Sequence, residues 1–192
     1  MPAETRLEIR TGGGSIRTYS LQGDETLVTS GGSIEVSGVK GRVMAHTSGG
    51  AIKLREVTGD AEAETSGGPI GVDSLEGSLT AHTSGGPIRI NGISGQVNAT
   101  TSGGPIEATF ARGNAAGGLL ETSGGSIRVT LDPTVNLQVD ASTSGGIVST
   151  DLPLRREGKI SPSSLRGLLG SGGASLRLHT SGGSIRITSL AT

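Results

Sequence analysis

The 192-residue chain has no cysteine and no tryptophan, and its only aromatic residues are Tyr19 and Phe110. Lack of cysteine excludes disulfides and thiolate metal sites and leaves the redox compartment open. Lack of aromatics excludes the thick, aromatic-anchored core usual for a globular domain of this length. No charge sign dominates either, with 16 Lys and Arg against 17 Asp and Glu and a net charge of -1. That balance gives no electrostatic footprint for nucleic acid or for an anionic membrane. No apolar run is long enough to span a bilayer. The residues from Met1 to Arg6 carry no apolar signal core, so the sequence as it stands is not expected to direct its own export or to insert into a membrane.

What the chain has in excess is glycine, 35 residues, arranged in a repeat. Thr-Ser-Gly-Gly begins at Thr29, Thr47, Thr65, Thr83, Thr101, Thr122, Thr143 and Thr180, with variants at Thr11 and Gly170. From Thr11 to Thr101 each step is 18 residues, the next two are 21, and the last is 37. Counting Thr as position 1, aliphatic residues recur at position 6 (Ile34, Ile52, Ile70, Ile88), position 8 (Val36, Leu54, Val72, Ile90) and position 11 (Val39, Val57, Leu75, Ile93). Position 13 is glycine (Gly23, Gly41, Gly59, Gly77, Gly95, Gly113), which suits a bend at positive φ. Positions 15 and 17 resume the alternation with Val43 and Ala45, Ala61 and Ala63, Leu79 and Ala81. Each unit therefore reads as two short strands separated by turns.

The few small aliphatic side chains of one unit cannot offset the entropy of ordering its backbone, so a lone unit does not fold. Stacking units in register lets each strand hydrogen-bond to the coils above and below. The expected fold is all-β, a single-stranded β-solenoid (β-helix) of nine to ten coils, right-handed by the crossover preference. At about 4.8 Å per coil it makes a rod on the order of 45 Å long. It forms one domain, residues 1–192, with regular coils over 11–100, longer coils over 101–142, an insertion or cap loop at 151–170 and a final coil at 171–192. The aliphatic spacing does not fit a hexapeptide helix, no aspartate follows the glycine pairs as calcium-binding nonapeptides require, and glycine does not recur every third residue as in collagen.

With these residues the chain resembles the bacterial adhesin-type β-strand repeat domains, also called toastrack-like domains, whose coils carry Thr-Ser-Gly/Asn-Gly/Asp-x-Ile. The likeness runs from Leu7 to Ile187. It includes the closing succession Val129-Thr130-Leu131-Asp132-Pro133, Val139-Asp140-Ala141, Asp151-Leu152-Pro153-Leu154 and Leu176-Arg177-Leu178-His179-Thr180. The resemblance implies an envelope-associated or exported setting, a protein or envelope component as partner, and no catalytic residues.

Candidate sites are few. Parity places the Thr column inward, where hydroxyls satisfy backbone groups, rather than outward as an ice-binding array. His46, His82 and His179 all occupy outward position 18, and His46, Glu64 and His82 form a column that could reach one divalent cation. The plainer expectation is a ladder of alternating charge, supported by Arg42 beside Asp60 and by the position-7 column Arg17, Glu35, Lys53, Gly71, Arg89, Glu107, Arg128. No metal and no other cofactor is expected. Pro69, Pro87 and Pro105 stack at position 5, just after the glycine turn, as a stiffening ridge or a contact surface. The 151–170 insertion offers Arg155, Arg156, Lys159 and Arg166 as an interaction loop, and Leu165, Leu168 and Leu169 as a cap over an otherwise open end.

Asp60, Glu62 and Glu64 share a face, but the turns are too short to wall a cleft, and no nucleophile-base pair or phosphate loop is present. The expected function is therefore a non-enzymatic rigid structural or interaction module, in an envelope or adhesin-like system as the resemblance implies. A second reading is a scaffold that polymerises head to tail, because the chain starts and stops near position 13; side-by-side association is also open. A polysaccharide-acting enzyme is the third.

Overall fold

A computed structural model describes residues 5–159 and 161–191 and is all-β, without a helix among them. Seven two-stranded coils follow one another. The first four are β1 (Leu7–Thr11) with β2 (Ile16–Tyr19), β3 (Glu25–Thr29) with β4 (Ile34–Lys40), β5 (Val43–Thr47) with β6 (Ile52–Thr58), and β7 (Ala61–Thr65) with β8 (Ile70–Glu76). The next three are β9 (Leu79–Thr83) with β10 (Ile88–Ile93), β11 (Val97–Thr101) with β12 (Ile106–Phe110), and β13 (Gly118–Thr122) with β14 (Ile127–Leu131). Odd-numbered strands stack in one parallel sheet and even-numbered strands in another. Register steps by 18 residues, as in Ile34↔Ile52↔Ile70↔Ile88, so like sits on like.

The core lies between the two sheets. Positions 6, 8 and 11 of the even strands face positions 15 and 17 of the odd strands, and Ile52, Leu54, Val57, Val43 and Ala45 are all buried. The step from position 8 to position 11 breaks strict alternation for a backbone reason. Position 10 is left-handed in five successive coils: Ser20 (φ 52°), Gly38 (69°), Glu56 (51°), Ser74 (59°) and Gly92 (70°). This kink turns position 11 back into the core, at a cost that only Gly38 and Gly92 escape.

The turn chemistry explains the tetrapeptide. Each Thr hydroxyl accepts a hydrogen bond from the second glycine of its own coil and donates one to the corresponding glycine of the preceding coil. Gly68 N donates to Thr65 Oγ1 (3.3 Å), which donates to the Gly50 carbonyl (2.9 Å). The same bridge recurs at Thr47, Thr83 and Thr101. The second glycine is required by close approach, since a Cβ on Gly68 would strike the Gly50 carbonyl, whereas one on Gly67 would meet only ordinary contacts at 3.9 Å. At position 13 the positive φ is found at Gly23, Gly41, Gly59, Gly77 and Gly113 but not at Gly95, where crowding by the Gly77 carbonyl takes its place.

The C-terminal part departs from sequence order. Its strands are β15 (Leu137–Thr143), β16 (Val148–Thr150), β17 (Arg155–Arg156), β18 (Ser164–Leu169), β19 (Ala174–Thr180) and β20 (Ile185–Ser189). The first sheet ends β13-β19-β15-β18-β17, and the second runs β16-β20-β14. The 171–192 coil is therefore not the last rung, as expected, but threads between β13/β14 and β15/β16. The expectation of nine to ten successive coils is corrected accordingly: seven coils run in order and two further rungs stack out of order. The threonine bridges follow space rather than sequence. Thr180 donates to the Gly125 carbonyl (2.7 Å) and Thr143 to that of Gly183 (2.6 Å). Strands β18 and β17 cap the end of the first sheet, with β18 pairing antiparallel to β15 and burying Leu165 and Leu169, while Leu168 stays half-buried.

Candidate functional site

Register puts His46, Glu64 and His82 in one column on adjacent rungs, and His179 lies further along it between Glu121 and Ser142. His46 Nδ1 is 3.3 Å from Glu64 Oε2, and His179 Nδ1 is 3.0 Å from Ser142 Oγ. Among the described residues no group of three His, Asp or Glu side chains is placed together as a metal site would require, and His46 and Glu64 make a cross-strand pair. Arg42 pairs with Glu62 at 3.9 Å rather than with Asp60; the Asp60 carboxylate instead accepts the Ser78 backbone N–H at 2.9 Å.

Arg156, Lys159 and Arg166 of the insertion line one small recess beside Glu157, and Arg155 does not join them. Arg155 and Arg156 are consecutive on β17 and so point to opposite faces. Arg166, on β18, pairs with Asp140 at 3.0 Å, and Lys159 lies in the loop between β17 and β18. Pro69, Pro87 and Pro105 do stack, and their carbonyls accept the N–H groups of Ile52, Ile70 and Ile88 at 3.0 Å. The corresponding N–H in other coils is satisfied by serine, as when Ala51 N donates to Ser33 Oγ, so proline removes a donor whose loss leaves nothing unpaired.

Two carboxyl side chains are buried among the described residues, Glu25 and Asp132. Glu25 takes the place that Val43, Ala61 and Leu79 fill in later coils and is 1% exposed. Thr18 Oγ1 donates to its Oε2 at 2.9 Å, while Oε1 has no hydrogen-bond partner among the described residues. Burial pushes this carboxyl above the usual carboxylate range, and the Thr18 hydrogen bond only partly opposes that. Asp132 is held below the usual range by the Thr134 hydroxyl, the Thr134 N–H and the Gly113 N–H.

A shallow trench on the outer face of the even-numbered sheet was not recognised in the sequence reading. Its volume is about 620 Å³, and it runs over four rungs, with Lys53, Gly71, Arg89 and Glu107 among its lining. Lys53 and Arg89 are the register neighbours of Gly71, so both flank it in the position-7 column. Pro69 and Pro87 form one side, and Arg55, Asp73 and Asn91 the other. A Cβ on Gly71 would meet nothing within 4 Å. The rest of the column is paired: Arg17 with Glu35 (3.4 Å), and Arg89 and Arg128 with Glu107 (3.5 and 3.0 Å). Arg55 reaches Glu35 and Asp73 at 4.0 Å. Lys53 takes part in no ion pair among the described residues. The signal was present in the sequence as the one uncharged member of the column.

Comparison with curated proteins and with solved structures returned no match. The family model described as Toastrack DUF4097 matches residues 3–188, and the chain with its stacked Thr-Ser-Gly-Gly coils therefore belongs to the Toastrack DUF4097 family.

Proposed function

We propose that this chain is a non-enzymatic, rigid structural and interaction module, working in a bacterial envelope or adhesin-like system as the resemblance of its repeats implies. The observation that carries this reading is the continuity of the stack. Every strand from β3 to β13 and from β4 to β14 is paired on both sides, with one register shift between β10 and β12, and each turn is stitched to the next by a threonine bridge. Such a rod holds its outer faces at fixed spacing, which suits presentation of a surface. Its faces carry cross-strand charge pairs, and the Gly71 trench is a recess on the even-numbered sheet.

The test is site-specific photo-cross-linking in the producing cells, with the probe at residue 71 or, on the opposite sheet, at residue 62. Adducts with one discrete envelope component from one face support the reading; no adduct from either face above the uncoupled control overturns it. A head-to-tail polymer needs a free edge at both ends, and the antiparallel β18 and β17 occupy one of them in the odd-numbered sheet. We therefore expect a concentration-independent monomer in sedimentation velocity; growth into longer rods with concentration would contradict this.

A further inference from the structure

We propose that the Gly71 trench is the docking site for an acidic side chain carried on an extended segment of a partner protein. This deepens the reading of the chain as an interaction module and rests on it. The position-7 column alternates as cation, anion, cation on either side of Gly71. Glu35 and Glu107 fill the anionic places and are each paired with arginine. By that alternation Gly71 stands where a carboxylate belongs, between Lys53 and Arg89, which are two rungs or about 9.6 Å apart along the sheet. A carboxylate at that height faces both cations, and Lys53 has no other ion-pair partner among the described residues.

The backbone does not demand glycine here. Gly68 and Gly77 would drive a Cβ into a neighbouring carbonyl, and Gly77 has φ +150°, whereas Gly71 opens onto free space and lies outside the left-handed region. The missing side chain leaves the recess open at this rung. The recess runs across four rungs, from Lys53 past Gly71 and Arg89 to Glu107, so it takes an extended segment whose acidic side chain sits at Gly71, with Ala51, Pro69 and Pro87 giving neutral, apolar contact to the residues flanking it. No aromatic ring lines the trench to stack against a sugar, which favours an acidic peptide over an acidic polysaccharide.

The experiment is fluorescence anisotropy with fluorescein-labelled deca-glutamate, with deca-glutamine as control, on the full chain and on Gly71→Glu, Lys53→Gln, Arg89→Gln and, on the other sheet, Arg177→Gln. Saturable binding of deca-glutamate alone is expected. It weakens about fivefold or more in Lys53→Gln and Arg89→Gln. Gly71→Glu abolishes it by filling the gap in cis, while keeping or raising the unfolding midpoint, and Arg177→Gln leaves it unchanged. Equal affinity of wild type and Gly71→Glu, an equal loss in Arg177→Gln, or a lowered midpoint in Gly71→Glu overturns the proposal. Tighter binding of oligogalacturonate than of deca-glutamate also overturns it, in favour of a polysaccharide. If cellular adducts at residue 71 persist while the peptide fails, the acidic occupant is wrong and the module stands; if both fail, the module reading falls too.

Discussion

Replacing Thr65 with valine removes one hydroxyl and leaves the shape nearly intact. Thr65 is 1% exposed, and its hydroxyl is the hydrogen-bond partner of both the Gly50 carbonyl and the Gly68 N–H, two groups themselves buried in the turn. In Thr65→Val both are left unpaired without access to water. At about 1–3 kcal/mol for each stranded group, and with the 3.3 Å bond at the weaker end, the expected loss is about 2–4 kcal/mol. Thr65→Ser keeps both bonds and deletes one methyl, for about 0.8 kcal/mol. Ser66 is exposed beside it, so Ser66→Ala should stay within about 0.5 kcal/mol of wild type. The assay is equilibrium urea unfolding followed by far-UV circular dichroism, with the slopes compared to confirm that the same surface is exposed. A Thr65→Val loss below about 0.5 kcal/mol, or a Thr65→Ser loss as large, would refute the claim that the hydroxyl bridge rather than the methyl holds the turn.

Gly68→Ala should fail to give folded protein, because its Cβ would meet the Gly50 backbone, while Gly67→Ala should unfold within about 1 kcal/mol of wild type; thermal melts of the pair decide it. Glu25 is raised by burial, so its contribution is fully present below the unfolded carboxyl value and is lost as pH rises through the higher folded one. Glu25→Gln should therefore flatten the fall in stability that wild type shows as pH rises above the ordinary carboxyl value. At pH 7 the double variant Thr18→Val/Glu25→Leu, matching Val36 and Val43 in the next coil, should be more stable than wild type by about 1–3 kcal/mol. Asp132 has the opposite sign, its contribution being present above the unfolded value and lost as pH falls through the folded one. The destabilisation by Asp132→Asn in urea should accordingly shrink in acid.

The 18-residue period, the inward threonines and the aliphatic positions made the sheets and core legible in the sequence, because a stack in register repeats every contact from coil to coil. The left-handed kink at position 10 was not legible, since Ser20, Glu56 and Ser74 occupy it as well as Gly38 and Gly92, and serine and glutamate do not announce positive φ. Threading of β19 and β20 was hidden for a different reason. Thr-Ser-Gly-Gly is the same at Thr122, Thr143 and Thr180, so each coil is equally able to stack on either of the others, and the 37-residue step signalled an insertion without its destination. The trench escaped because Gly71 sits among 35 glycines, most of which read as turns. Its register column, rather than its residue type, sets it apart.

Coil order is tested most directly by disulfide trapping, which a chain free of native cysteine makes unambiguous. Arg128, Arg186 and Ser149 lie on successive rungs, with Arg128↔Arg186 and Ser149↔Arg186 in register. Cysteine pairs at 128/186 and at 149/186 place their Cα atoms about 4.8 Å apart, within disulfide range, whereas a pair at 128/149 spans two rungs or about 9.6 Å and lies beyond it. Oxidation followed by mass spectrometry should give the first two bridges and not the third. Efficient bridging at 128/149 with none at 128/186 would show the coils stacked in sequence order and would contradict the threaded arrangement.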